Sequence, residues 1–127
     1  MCPKGMFIMS NYILQNLHRL KRRHYVLLAN QAEHWFNASP TVMKKYIAQY
    51  VDDFCLILYR NDPNDDAFIM PFGLIKSVFT EENLAVASRS PVGRWHGSVK
   101  VDYLSIRGAD NLILVAQCYN AIDLLEN

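Results

Sequence analysis

Phe54-Cys55-Leu56-Ile57-Leu58-Tyr59-Arg60-Asn61-Asp62-Pro63-Asn64-Asp65-Asp66-Ala67-Phe68-Ile69-Met70 is the stretch on which the fold reading turns. Its first six residues form a continuous apolar run of strand length. Asn, Asp and Pro then cluster as they do where chains reverse. Apolar character resumes at Ala67, so the stretch reads as a hairpin with an acidic turn.

On the amino-terminal side the pattern reads as helical. Ile13, Leu17, Leu20, His24, Leu27 and Leu28 fall on one stripe at about 100° per residue, with Gln31 following. This predicts one long helix from residue 11 to about 34, capped by Ser10 or Asn11. A second helix is predicted to about residue 50, with Ser39 as its N-cap and Pro40 at its first position. Val42, Met43, Tyr46, Ile47 and Tyr50 carry its helical spacing.

On the carboxy-terminal side Leu74, Ile75, Val78 and Phe79 suggest a short helix after Pro71. Ser88 to Gly93 reads as a loop. Trp95, Gly97, Val99, Val101 and Tyr103 then alternate with polar residues, and Leu112 to Ala116 supplies further strand material. A short helix is expected within Tyr119 to Leu125. The order predicts an α+β fold: two N-terminal helices followed by a mainly antiparallel sheet of four to five strands with a short helical interruption.

With 127 residues, one domain is the expectation. It divides into a basic helical part over about 10–50 and a strand-rich part over about 51–127. The apolar share of 51% is too high for a disordered chain. No apolar run reaches the roughly 18 residues needed to span a bilayer, so no membrane partner is expected. Cys2, Cys55 and Cys118 are odd in number and lack CxxC spacing. They read as free thiols in a reducing, cytoplasmic setting.

The net charge of +1 hides an asymmetry. Residues 1–50 carry +6 and residues 51–127 carry −5. Arg19, Lys21, Arg22 and Arg23 make the polar side of the first helix basic, as a phosphate backbone requires. Arg89, Arg94, Trp95, His96 and Lys100 form a second cluster around a Pro-Gly loop, where arginine beside tryptophan suits base stacking. These nine residues are the expected nucleic-acid contacts. The alternatives are a solvated helix face and a core tryptophan with solubilising arginines.

Catalytic signatures are missing from the sequence. There is no HExxH, CxxC, calcium loop, GxGxxG, GxxxxGK[ST] or GxSxG, and no acid stands two residues before a lysine. The expectation is therefore no metal, no cofactor and no catalytic residues.

Phe68 to Leu84, followed by Arg94-Trp95-His96-Gly97-Ser98-Val99-Lys100 and the closing Tyr119-Asn120-Ala121-Ile122-Asp123-Leu124-Leu125, resembles the non-catalytic recognition segments attached to restriction-type and HNH-type nucleases. The resemblance covers about half the chain. It implies DNA recognition within a restriction or defence system, with cleavage supplied by a separate domain or a nuclease partner. Two other readings stand beside it. One is a protein-interaction or homo-oligomerisation module whose first helix pairs with a twin; the other is a small enzyme with a Cys/His/Asp pocket.

Overall fold

The computed structural model describes residues 9–61, 63–87 and 90–125. Its elements run α1 (Met9–Gln15), α2 (Leu17–Lys21), β1 (Tyr25–Leu28), β2 (Phe36–Ala38), α3 (Pro40–Tyr50), β3 (Cys55–Tyr59), β4 (Ala67–Pro71), α4 (Phe72–Ile75), β5 (Ala85–Ala87), β6 (Ser90–Lys100), β7 (Tyr103–Ile106) and β8 (Ile113–Leu114). Short 3-10 turns at Lys76–Val78, Glu81–Asn83, Ala116–Cys118 and Ile122–Leu125 fill the connections. The fold is α+β.

Every residue of β3 is buried. Such a strand needs a partner on each side and a cover on each face. β4 pairs with it antiparallel through the expected hairpin, placing Ile57 opposite Ile69. On its other edge β1 pairs with it in parallel, placing Val26 opposite Ile57. Parallel neighbours need a long crossover, and residues 29–54, including α3, provide it.

That pairing overturns the long helix expected over 11 to about 34. Helix persists only to Lys21 and is divided at Asn16, where the backbone N–H and the side-chain amide both donate to the Tyr12 carbonyl. Tyr25 to Leu28 would fit a helical stripe, but they satisfy the backbone and faces of β3 better as a strand. His24 joins the same contact, its Nδ1 accepting from the Cys55 N–H at 2.9 Å. Glu33 and His34 then adopt left-handed φ values of 61° and 49°, which no α-helix accommodates.

The second helix forms as expected. The Ser39 hydroxyl accepts from the Val42 N–H at 3.3 Å, and Pro40 opens α3.

The remaining strands make a second, antiparallel sheet in the order β2-β6-β7-β8, with β5 also on β6. Trp95, Gly97 and Val99 point inward, as their alternation with polar residues predicts. Val101 does not continue that strand. Val101 and Asp102 both have positive φ and form a two-residue turn that pairs Lys100 with Tyr103 across a hairpin. Expected strand material at 112–116 contributes only Ile113–Leu114, and Ser90 to Gly93 belong to β6 instead of a loop.

The three-stranded sheet is the middle layer. Val26, Cys55, Ile57, Ala67 and Ile69 face Met9, Ile13, Leu20 and Leu125. Its other face, with Leu56, Leu58, Phe68 and Met70, meets Phe36, Val99, Leu104 and Ile106 of the second sheet. Six rings, Tyr25, Tyr46, Phe54, Phe72, Phe79 and Trp95, run in succession with centroids 4.8–6.1 Å apart and tie α3 to β6. No helix among the described residues is long and apolar enough to cross a membrane.

Where the sheets meet, Gly97 is irreplaceable for steric reasons. A Cβ there would lie 2.6 Å from Ile106 Cδ1 and 2.7 Å from the Phe36 ring. Gly97→Ala should therefore cost about 1–3 kcal/mol by overpacking. Urea unfolding of the two proteins side by side measures it, and an unchanged midpoint would contradict this packing.

Candidate nucleic-acid interface

Basic residues of two helices meet in one cleft. The Tyr46 hydroxyl donates to the Lys21 carbonyl at 2.5 Å, and the Tyr50 hydroxyl to the Arg22 carbonyl at 2.8 Å. Carbonyls at a helix end have no partner within the helix, so these bonds fasten the end of α2 onto α3. As a result Lys21, Arg22 and Lys45 line one cleft of about 370 Å³ with Val42, Tyr46 and Gln49. No carboxylate of the described residues lines it. Neither Arg19, Lys21, Arg22, Lys44 nor Lys45 is ion-paired to a carboxylate of the described residues.

The cations of α2 differ in how they are held. Arg19 donates to Asn16 Oδ1 at 3.1 Å, and Arg22 approaches His18 Nε2 at 3.2 Å. Neither contact brings a carboxylate to these guanidinium groups. Arg23 is held differently: it pairs with Asp53 at 2.8 Å and lies 4.7 Å over the Tyr50 ring. Its charge is answered within the fold.

The second expected cluster disperses. Trp95 is a core residue whose Nε1 donates to the Thr80 carbonyl at 2.8 Å, with its ring edge-on to Phe79, so it offers no face to a base. Lys100 lies 3.7 Å from Glu33. Arg94 is half-buried and donates to the Gly93 carbonyl at 2.9 Å. Arg89 lies outside the described residues. His96 faces outward from the middle of β6, in hydrogen-bond contact with Asn37.

Around His96 the outer face of the second sheet forms a hollow of about 580 Å³, lined by Asn30, Trp35, Phe36, Asn37, His96, Ser98, Ser105 and Arg107. No carboxylate of the described residues lines it either. Trp35 stands 51% exposed at its edge. Trp35, Asn37, Ser105 and Arg107 escaped the sequence reading. The available signal is a period of two (Trp35 out, Phe36 in, Asn37 out, Ala38 in). Four residues between a predicted helix ending at about 34 and the Ser39–Pro40 helix start are too few for it to stand out.

A third cleft, of about 390 Å³, borders a buried polar cluster. Asp66 Oδ1 accepts from Arg60 Nε at 2.7 Å and is 3.0 Å from His34 Nε2. Asp66 Oδ2 accepts from Arg60 at 2.6 Å and from the Tyr119 hydroxyl at 2.9 Å. Burial works to raise the Asp66 carboxyl, but the hydrogen bonds from Arg60 and Tyr119 outweigh it and hold it below the usual carboxylate range. Burial lowers His34 despite the neighbouring carboxylate. Glu33, His34, Asp65, Val101, Asp102 and Asn120, all in left-handed backbone, lie at or beside this cleft.

The thiols are placed away from such chemistry. Cys55 and Cys118 are free and buried, and burial pushes both up to about 11, so they stay protonated at neutral pH. Cys2 lies outside the described residues. No group of three His, Cys, Asp or Glu among the described residues could hold a metal ion.

Comparison with protein-family models, with curated proteins and with solved structures finds no match.

Two measurements test the electrostatics described above. Asp66→Asn strands the Arg60 charge and should cost about 3–5 kcal/mol, the range for breaking a buried pair. Asp53→Asn breaks an exposed pair and should cost under about 1 kcal/mol. Equal losses on chemical denaturation would contradict the hub. Burial lowers His24 to about 4 from an ordinary 6.5, with the Arg23 charge adding to it. The unfolded chain then takes up that proton first, so stability is full above 6.5 and falls as pH drops toward 4. His24→Asn keeps an acceptor for the Cys55 N–H and should flatten that fall in a pH series of melting temperatures.

Proposed function

We propose that this chain is a nucleic-acid-binding module whose preferred partner is DNA. One observation carries the reading: Lys21, Arg22 and Lys45, from two separate helices, converge on a cleft that no carboxylate of the described residues lines. Like charges held together without a counter-charge oppose folding, and an external polyanion relieves that cost. Each phosphate neutralised there also releases condensed counterions. Arg19 and Lys44 are exposed on the same two helices but outside this cleft, and Arg19 borders another one that Asp52 and Asp53 also line.

The resemblance of the strand-rich half to nuclease-associated recognition segments fits the same role, with cleavage left to a nuclease partner. A cytoplasmic setting agrees with thiols kept reduced. The homo-oligomer alternative loses its proposed contact, because Ile13 and Leu20 of the first stripe are buried against the chain's own sheet.

Fluorescence anisotropy with labelled duplex DNA, single-stranded DNA and RNA of one sequence, from 50 to 200 mM salt, tests the proposal. Three phosphate contacts predict a log–log salt slope near −2.7, from about −0.9 per contact on duplex DNA. Lys45→Ala should weaken binding to every sequence and reduce the slope by about 1. Absence of binding to all three ligands at 50 mM, or an unaltered slope in the variant, would overturn it.

A further inference from the structure

We propose that the outer hollow of the second sheet is a site for one unpaired nucleobase, stacked on Trp35. The inference rests on the nucleic-acid reading and gives it a recognition element apart from the phosphate cleft.

Trp35 is the starting point. A large aromatic ring left half in solvent is informative when it borders a concave, polar surface. Its backbone is fixed, since the Asn30 N–H donates to the Trp35 carbonyl at 2.8 Å. Beside the ring lie the Asn37 amide, the His96 imidazole, the Ser98 and Ser105 hydroxyls and the Arg107 guanidinium. A nucleobase presents one flat π face and an edge of mixed donors and acceptors. An indole with amide, hydroxyl and guanidinium groups answers both.

Charge favours the same occupant. Arg107 brings a cation to the hollow and no acid of the described residues lines it, so the phosphate attached to a base is welcome there. The volume of about 580 Å³ lies within the range of small-molecule sites. His96 and Arg107 also line a neighbouring cleft of about 390 Å³ with Asn83 and Gly108, where Glu82 brings one carboxylate that is not part of the hollow's own lining. The groove therefore continues past the hollow, as a strand that continues past one base requires.

The floor is rigid. Phe36 and Ile106 close beneath Gly97, and the Arg107 N–H donates to the His96 carbonyl at 2.8 Å. A site resting on such packing is formed before its ligand arrives.

The chain has two tryptophans, and Trp95 is buried, so an emission change on binding reports Trp35. The probes are an unlabelled single-stranded DNA, the same strand made abasic, a fully paired duplex and a mononucleotide. Single-stranded DNA should quench the emission, while the abasic strand and the duplex should bind without quenching. Trp35→Ala should lower affinity for single-stranded DNA roughly 5- to 100-fold, with Trp35→Phe between it and the parent. Equal quenching by the abasic strand, or unchanged affinity in both variants while Lys45→Ala still weakens binding, overturns the base site and leaves the phosphate reading standing. Quenching by the mononucleotide with no strand bound keeps the site and overturns the strand reading; no response to any probe overturns both.

Discussion

The Asp66 carboxylate is the interaction on which the rest of the structure depends. It receives Arg60 from its own hairpin, the Tyr119 hydroxyl from the carboxy-terminal segment and His34 from the loop between β1 and β2. Three stretches far apart in sequence are thus held at one point. Left-handed residues crowd around it, and each such conformation costs of order 1–3 kcal/mol unless its surroundings enforce it. Arg60 also donates to the Gln31 carbonyl, so the loop is gripped twice. With that loop anchored, β1 and β2 leave it in fixed directions, one into each sheet.

The two candidate surfaces follow from that anchoring. Entry of β2 beside β6 puts Trp35 and Asn37 on the outer face across from His96. The crossover that follows brings α3 against α2, so Lys45 faces Lys21 and Arg22. Folding forces arranged both, and among the described residues no carboxylate lines either one. A buried apolar layer holds the scaffold while polar groups are displayed on its borders, the usual division between core and site.

Much of the scaffold was legible in the residues. The hairpin from 54 to 70 and the Ser39–Pro40 helix start are local signals, and both are present. The long first helix failed because Tyr25 to Leu28 fit two patterns at once. Only a partner 31 residues away, at Cys55 and beyond, decides between them. Of the nine expected contacts, Lys21 and Arg22 enter the cleft and His96 the hollow. Trp95 was misassigned although its alternation with His96 already separated inward from outward. Lys45 joins the cleft through tyrosine bonds spanning 25 and 28 residues, which no local pattern records.

The antiparallel contact between β2 and β6 has a consequence for how the molecule is made. Asn37 meets His96, which is synthesised 59 residues later. At roughly 5–20 residues per second a ribosome needs about 3–12 s to bridge that interval. For those seconds Phe36 and Ala38 wait without their sheet, whereas β3 and β4 zip together almost as they emerge. The nascent chain therefore passes through a stage in which the central hairpin exists and the surface bearing Trp35 does not.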